Sequence, residues 1–434
     1  MNRGFGYLVL LLCSYCASQG LGAVFELRPT VAQEDEEFER LANALKPGDE
    51  LVLAGGVYSQ TGRRAVTVHG TAEQPITIRA VDGQEPVLTR PAAGNRYNNV
   101  EFVDCCYLVV RGLHFQGGSS GVRFIRGHHV TFENCEICQT TNNALTMNSG
   151  NCDAFILRNN HIHHTGLREN GTTEGEGMYI GCHDGGCITT NSLIEGNHIH
   201  HLRGVGSGGN DGIEVKYGSY NNTIRNNVIH DTNITTRYPG IFVYGGGPAV
   251  NIVEGNKIWN AGEGIQVVSD AIIRNNVIFD CTISGITAAP HAAVPHVRNV
   301  RIVNNTIVNH PVGVRIRWSK ATDMVFGNNA VFCPGSTALD VSGVDAHRLS
   351  ANFISGRLAG VSVDRSRFVE GGNLAEVFVA PAEHNYLPKP DSVLVGRADP
   401  DLAPSQDFSG TARRPPFDVG AYEVPGETPA QSPR

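Results

Sequence analysis

Hydrophobic and polar positions alternate along many short stretches of this chain, and each stretch ends at glycine or asparagine. Such alternation is typical of β-strands, in which successive side chains point to opposite faces. The last asparagine of each turn recurs every few tens of residues, at Asn134, Asn160, Asn197, Asn227, Asn256, Asn276, Asn305 and Asn329. Repeats of this length indicate a solenoid, in which each coil buries its apolar side against its neighbours. The strands are too short, and too rich in Val and Ile, for helical repeats. The pattern therefore predicts an all-β solenoid.

The recurring asparagines have a structural interpretation. A solenoid of strands must bend sharply between them, and asparagine and glycine tolerate the left-handed backbone that such bends require. Stacked asparagine side chains can also hydrogen-bond from one coil to the next. We therefore predict that these residues shape the fold and take no part in chemistry.

The two ends of the chain differ from the repeats. Residues 1–22 resemble a secretory signal, with Arg3, an apolar run from Tyr7 to Leu12 and small residues near Gly22. The apolar run is too short to span a membrane. We expect export to the extracellular space or the periplasm, and residues 426–434 are predicted to be a disordered tail.

The middle of the chain divides into two predicted parts. Residues 23–345 are expected to form the solenoid, with an amphipathic helix from Gln33 to Leu45 as the cap over its open end. The regular spacing fades after this region. Residues 346–425 are expected to add strands and loops that pack on the solenoid.

One full repeat, NDGIEVKYGSYNNTIRNNVIHD, occupies residues 210–231. It combines a glycine, a short strand, a turn, a second apolar strand and paired asparagines. This motif resembles the right-handed parallel β-helix superfamily of pectate lyases, alginate lyases and chondroitinase B, over roughly residues 50–345. The resemblance implies a right-handed parallel β-helix, and it indicates the fold more specifically than the reaction, because one fold hosts many functions.

Alternation within the strands predicts which side chains face outward. Residues between the apolar pairs should leave the core, and coils stack about 4.8 Å apart. One outward column therefore contains Tyr179, Glu214, Phe242 and Gln266, and the neighbouring column contains Gly181, Lys216 and Tyr244. Long turns on both sides of these strands are expected to wall a groove, although they could also be tolerated insertions.

The predicted groove suits a sugar polymer. Aromatic rings for stacking come from Tyr179, Tyr217 and Phe242, and hydrogen-bonding groups come from Arg237, Gln266, Arg315 and Arg317. An ordinary exposed sheet with mixed polar residues is the alternative. We predict that these seven residues bind an acidic polysaccharide.

The resemblance suggests cleavage of a uronate polymer by β-elimination. This reaction needs a base at C5, an acid for the leaving oxygen, and a cation that neutralises the carboxylate. We predict Lys216 and Tyr244 as the proton-transfer groups, with Glu214 holding a cation or a sugar hydroxyl. Calcium is the candidate cofactor, and Asp184 and Asp211 are loose counterparts of the calcium-binding aspartates of pectate lyases.

The chain departs from the chondroitinase B and alginate lyase pattern at this site. Those enzymes have a KSxxN segment followed by an arginine on the next coil, whereas this chain reads KYGSYNN. The next coil reads GIFVYGG, so Tyr244 takes the place of the arginine. The departure makes tyrosine the candidate acid.

Other functions use the same scaffold. A glycoside hydrolase needs two carboxylates, for which Glu174, Glu176, Asp184, Asp211 and Glu214 are candidates. A C5-epimerase or an extracellular glycan-binding protein without catalysis are further alternatives. Asp211 could also be a simple turn acceptor before Gly212, and Lys216 a solvated surface lysine.

Charge narrows the range of partners. The formal net charge is −8, and the leader carries one positive charge, so residues 23–434 have −8 − 1 = −9. This charge argues against nucleic acid as a partner, and an acidic polymer would need a local basic strip or bound cations. Neither a membrane partner nor an oligomer is expected.

Cysteines and histidines add two further predictions. Two of the 11 cysteines lie in the leader, and among the remaining nine, Cys182 and Cys187 flank the turn HDGG and are predicted to form a disulfide. A second outward column contains His163, His200, His230, Trp259, Phe279 and Val308, with His164, His201 and Asp231 just behind it. Stacked histidines can bind a transition metal, but we favour a ladder whose side chains satisfy one another.

Overall fold

The computed structural model describes residues 22–29, 36–90, 96–167, 174–204, 209–232, 237–343, 349–360, 368–370 and 373–424. The predicted leader, except for Gly22, and the predicted tail lie outside these residues. Among the described residues, no helix is both long and apolar enough to cross a membrane.

Three parallel sheets, here named A, B and C, wind around one core and confirm the all-β solenoid. Sheet A contains Ala65–Val66, the first part of Val100–Arg111, the first part of Val122–Glu133, Leu145–Met147, Met178–Ile180, Ile213–Val215, Pro239–Val243, Glu263–Val267, Ser284–Ala288, Val312–Arg317, and the last parts of Ala330–Ser342 and Asn352–Gly360. Sheet B contains Val24–Leu27, Glu50–Leu53, Ile76–Ala80, the last parts of Val100–Arg111 and Val122–Glu133, Ile156–Arg158, Leu193–Glu195, Thr223–Arg225, Asn251–Glu254, Ala271–Arg274, Val300–Val303, Val325–Gly327 and Leu349–Ser350.

Sheet C completes each coil. It contains Gly56–Ser59, Pro86–Thr89, His114–Gln116, Glu136–Cys138, His161–His163, His198–Leu202, Val228–Thr232, Lys257–Trp259, Val277–Phe279, Thr306–Val308, the first parts of Ala330–Ser342 and Asn352–Gly360, and Phe368–Glu370. Short strands Cys152–Asp153 and Thr189–Thr190 pair between sheets A and B. Each coil therefore passes through A, B and C before it reaches the next coil.

Glycines at the start of the sheet A strands allow the coils to stack closely. A Cβ on Gly212 would lie 2.4 Å from the carbonyl oxygen of Gly240 and 2.7 Å from Cγ2 of Ile229. Gly240 and Gly264 meet the same kind of contact one and two coils later. The recurring glycine is thus required by close approach, and it stands at or next to the start of the sheet A strands from Met178–Ile180 to Val312–Arg317.

The two adjacent residues of each asparagine pair have different structural roles. The first residue of the pair takes the left-handed conformation, as at Asn226 with φ 56°. The second residue is buried, and Asn227 donates to the Asn256 side chain at 2.9 Å while it accepts from that of Asn197 at 2.9 Å. This ladder runs unbroken from Asn160 to Asn352, which confirms the coil-to-coil hydrogen bonds.

One asparagine was aligned wrongly in the predicted repeat. Asn134 has φ 52° and is exposed, so it belongs with the bend residues. The ladder position in that coil is Cys135, whose backbone N–H donates to Asn160 at 3.1 Å. The ladder starts one coil later because the thiol of Cys135 cannot replace an amide.

Parallel pairing begins at Val24–Leu27, inside the predicted range of 23–345, and continues beyond that range to Phe368–Glu370. The amino-terminal helix covers only Glu37–Ala42, and it buries Phe38 and Ala42 in the main core. Ala44 falls within the predicted helix but lies beyond the end of the observed one, and it is exposed.

Residues 373–424 pack on the outside of sheets B and C. They include a short helix at Leu374–Val377, a 3₁₀ turn at Pro381–Glu383, and an antiparallel pair formed by Phe378–Ala380 and Asn385–Pro388. Buried Arg413 donates to Asn275 at 3.1 Å and to Glu423 at 2.9 Å. A second apolar cluster joins Phe378 and Tyr386 to the outer rings of sheet C.

Candidate active site

The predicted columns on sheet A are confirmed by the strand register. Tyr179 pairs with Glu214, Glu214 with Phe242, and Phe242 with Gln266. The backbone N–H of Lys216 donates to Ile180 at 2.8 Å, and that of Tyr244 donates to Val215 at 3.0 Å. Lys216 and Tyr244 therefore stand one step further along neighbouring strands.

The exposure predicted for this face is wrong. Glu214, Lys216 and Tyr244 are only 3%, 5% and 3% exposed. Two loops fold over them. The rings of His183 and His291, one from each loop, lie 6.0 and 4.8 Å from the ring of Tyr244. Lys216 is therefore a buried amine beneath loops and not a solvated surface lysine.

Lys216 is held by one carboxylate and two aromatic rings. Its Nζ donates a hydrogen bond to Glu214 Oε1, and the Tyr244 hydroxyl donates to the same oxygen at 3.2 Å. The amine also lies 4.4 Å from the ring centre of Tyr179 and 5.0 Å from that of Tyr244. Ring faces attract a cation, so this pocket fixes the position of the amine.

Three buried carboxylates meet beside this lysine and are here called the carboxylate cluster: Glu176, Asp211 and Glu214. One oxygen from each lies within 4.8 Å of the others. Among the described residues, Glu176 Oε2, Asp211 Oδ1 and Glu214 Oε2 have no hydrogen-bond partner. Buried carboxylates without partners are costly, and oxygen-only sets of this kind match the ligands that calcium prefers.

Burial and mutual repulsion disfavour the charged forms of the carboxylate cluster. Burial, helped by the nearby Glu214 charge, raises the pKa of Glu176 to about 8. Burial, followed by the charges of Glu214 and Glu176, raises the pKa of Asp211 well above its ordinary value. Burial also raises the pKa of Glu214, although Lys216 opposes this shift. A positive charge placed among the three would stabilise their ionised forms.

The turn before each sheet A strand positions the cluster. Glu176 and Asp211 both stand directly before a leading glycine, and the N–H of Gly177 donates to the backbone carbonyl of Asp211 at 2.9 Å. Gly209 lies against them, since a Cβ there would be 2.2 Å from Glu176 Oε1. Adjacent coils thus stack the two carboxylates, while Glu214 reaches them from the strand.

Asp184 stands apart from the carboxylate cluster. Its side chain is exposed and accepts a hydrogen bond from the N–H of Gly186 at 2.9 Å within its own turn. Glu176 takes the third position that the sequence interpretation gave to Asp184. Cys182 and Cys187, which flank this turn, are joined by a disulfide with their Cα atoms 4.9 Å apart.

The predicted substrate-binding residues are divided between the covered site and its flank. Phe242 is buried and stacks on Tyr244 with ring centres 4.1 Å apart, and Tyr217 packs against the same rings. Tyr179 and Gln266 are half-buried, and Arg237 is exposed.

The two arginines further along sheet A have acidic partners. Arg317 contacts Asp340 at 2.6 Å, and Arg315 lies 3.8 Å from both Asp340 and buried Glu263. Burial raises the pKa of Glu263, and the charge of Arg315 opposes that shift. Glu263, which the sequence interpretation missed, also precedes a leading glycine.

The histidine column on sheet C is confirmed in register. His200 pairs with His230, His230 with Trp259, and Trp259 with Phe279. Burial and the neighbouring imidazoles lower the pKa of His163 and His198, and they lower that of His200 to about 3. These rings lie on a different sheet from the carboxylate cluster.

Comparison with known proteins identifies the fold family. A family model described as right handed beta helix region matches residues 98–270 and 250–331, together more than half of the chain. A second model, Chondroitinase B, matches residues 32–154, which end before the carboxylate cluster begins. A search of curated protein sequences found no significant match.

Solved structures share the same architecture at low sequence identity. An alginate lyase from Paenibacillus sp. str. FPU-7 is 22% identical, with a TM-score of 0.51 over 73% of this chain and 99% of that chain. The pectate lyase Pel9A is 16% identical, with a TM-score of 0.55 over 92% and 96%. XylC, solved in complex with xylose, is 10% identical, with a TM-score of 0.60 over 89% and 94%. Together with the continuous three-sheet coil, these matches show that the chain belongs to the right-handed β-helix family and is pectate-lyase-like in architecture.

Proposed function

We propose that this protein is an exported polysaccharide lyase that cleaves a uronate-containing polymer by β-elimination. The observation that carries the proposal is the buried contact of Lys216, Glu214 and Tyr244 beside two further carboxylates. A base, an acid and a cation site are the three parts that this reaction needs. The alginate and pectate lyases among the structural neighbours support the substrate class.

We assign Tyr244 as the acid of the two proton-transfer groups, because its phenol stays protonated. Burial, reinforced by the charge of Glu214, raises the pKa of Tyr244 above its ordinary value, so the phenol keeps its proton. A protonated phenol can donate to the leaving oxygen but cannot accept the C5 proton. Lys216 is then the proposed base, and Glu214 orients both groups through one oxygen.

A divalent cation would be held by Glu176, Asp211 and Glu214. Calcium fits because one carboxylate oxygen from each of the three residues converges there, and each carboxylate keeps one oxygen without a partner among the described residues. When bound, it would neutralise the uronate carboxylate. The rings of His183 and His291 cover Tyr244, so a polymer reaching the phenol must displace them.

Glycoside hydrolysis is the competing reaction on the same residues. The oxygens of the carboxylate cluster lie within 4.8 Å of one another, whereas an inverting pair needs about 6.5–9.5 Å between carboxyl groups. The cluster therefore disfavours an inverting hydrolase. A retaining mechanism, a C5-epimerase and a non-catalytic glycan-binding role are outcomes that the following assay separates.

A panel of acidic and neutral polysaccharides tests the proposed reaction. With alginate, pectate or a glycosaminoglycan, we expect new ultraviolet absorbance from an unsaturated uronate, together with shorter chains. New reducing ends without that absorbance would indicate a hydrolase, and altered sugar stereochemistry without cleavage would indicate an epimerase. Binding without any of these changes would leave only a glycan-binding role.

Without calcium, the free energy of unfolding should fall as pH rises, and calcium should oppose that fall. The pKa of Glu176 is raised from 4.5 to about 8 in the folded chain, so the folded state binds a proton that the unfolded state releases. Without divalent cations, the free energy of unfolding should therefore fall as pH rises from about 4.5 to about 8. Calcium binds the ionised form, so its stabilising effect should grow over the same interval.

Thermal unfolding at several pH values, with calcium or with a chelator, measures this effect. Glu176→Gln is the matched variant, because it removes the titrating group and should flatten the decline in chelator. A melting temperature that does not respond to calcium at pH 8 would contradict the cation site.

A further inference from the structure

Five histidines on sheet C form a second cluster, here called the histidine array: His161, His163, His198, His200 and His230. Residues two apart on a strand share one face, so the segments His161–His163 and His198–Leu202 each present two imidazoles on the same side. The adjacent coil adds His230. Stacked rings lie 5.2 Å apart between His163 and His200 and 5.1 Å apart between His200 and His230.

Ring nitrogens from two coils converge within the histidine array. The Nε2 atoms of His161 and His200 lie 2.8 Å apart, as do those of His198 and His230. One nitrogen from each of His161, His198 and His200 lies within 4.8 Å of the others. A second triad of the same compactness joins Glu136 to His161 and His163. Zinc–nitrogen bonds of about 2.0–2.1 Å at a tetrahedral angle require nitrogens roughly 3.3 Å apart, so the contact between His161 and His200 needs to open only slightly, and the His198 nitrogen, within 4.8 Å of both, completes the triad.

In His200 and His163, the other ring nitrogen is already engaged. Nδ1 of His200 lies 2.6 Å from Nδ1 of His201, and Nδ1 of His163 lies 2.7 Å from Nδ1 of His164. His201 and His164 have positive φ angles of 52° and 53°, respectively, and lie behind the array. A partner on one ring nitrogen fixes the orientation of an imidazole and directs the other nitrogen toward a ligand.

Stacking alone does not require imidazoles at these positions. The same column continues as Trp259 and Phe279, whose rings stack at 5.5 Å without offering a ligand nitrogen. The contact between the Nε2 atoms of His161 and His200 shares a single proton between two nitrogens. A metal ion would replace that proton and join the two coils.

We propose that the histidine array is a transition-metal site of the zinc class, with His161, His198 and His200 as ligands. Imidazole ligands suit zinc, copper and nickel, whereas the carboxylate cluster suits calcium. The Glu136, His161 and His163 triad adjoins it through His161. The bound ion would cross-link neighbouring coils on sheet C, on a different sheet from the proposed lyase site, and so does not depend on that function.

Titration of the metal-free full chain with zinc and cobalt tests the site. We expect zinc to bind with a dissociation constant below about 10 µM and to raise the melting temperature, and cobalt to show tetrahedral absorption bands. His200→Phe keeps a stacking ring, as Phe279 does in the same column, and should weaken zinc binding at least about 100-fold. His198→Gln changes an exposed side chain and should give the same loss if His200→Phe fails to fold.

A second pair of adjacent histidines supplies the control. His128 and His129 lie with their Nδ1 atoms 3.0 Å apart but belong to neither triad. His128→Phe should bind zinc as the unmodified chain does. Absence of zinc binding to the unmodified chain, or equal affinity in the His198→Gln variant, would overturn the proposal.

Discussion

Replacing Lys216 with methionine is expected to lower turnover on the cleaved polymer by about 10²–10⁴-fold, because positioned acid–base groups typically contribute that much. Methionine keeps an unbranched side chain between the rings of Tyr179 and Tyr244 but cannot accept a proton. The measurement is the turnover number at saturating polymer. Lys257→Met is the matched control, since Lys257 also lies over an aromatic ring, 5.7 Å from the centre of Trp259, but on sheet C.

The same substitution should also destabilise the protein. Lys216 is buried with Glu214, and breaking a buried pair costs about 3–5 kcal/mol. The raised pKa of Glu214 lets this carboxyl take up a proton and offset part of that cost. The double variant Lys216→Met with Glu214→Gln removes both charges and should recover stability without recovering turnover.

Turnover and stability should therefore change independently of each other in these variants. A folded Lys216→Met protein with full turnover would exclude Lys216 as the base and direct attention to Glu176 and Asp211. Loss of turnover in Lys257→Met as well would indicate a general effect on the fold.

The positions of the site residues were predictable because a parallel solenoid repeats its register. A leading glycine stands at or next to the start of the sheet A strands from Met178–Ile180 to Val312–Arg317, and alternation then fixes the direction of the following side chains. This is enough to place Glu214 beside Phe242, and Lys216 beside Tyr244. The sequence even carried a signal for Glu176, since Glu176, Asp211 and Glu263 all stand directly before a leading glycine.

The burial of the site was not predictable by the same reasoning. Alternation separates core from outward positions, but it says nothing of a loop that returns over the outer face. His183 and His291 belong to turns that do not follow the sequence repeat, and their rings cover Tyr244. The exposed position of Asp184 likewise depends on the local hydrogen bond to Gly186 within a turn.

Removal of one ladder asparagine should destabilise the whole coil stack. Asn227→Ala deletes donors to Ile194 at 3.0 Å and Asn256 at 2.9 Å, and it leaves the buried N–H of Asn197 without its acceptor. Each orphaned buried group costs about 1–3 kcal/mol, so we expect a loss of several kcal/mol, measured as a lower urea midpoint by circular dichroism.

Asn226→Gly is the neighbouring control, because Asn226 is exposed at φ 56°, where glycine fits without strain. Its midpoint should barely change, since surface substitutions usually stay within about 0.5 kcal/mol. Equal shifts of the urea midpoint in the two variants would contradict the different roles of Asn226 and Asn227, because the side-chain ladder could then not be the stabilising element.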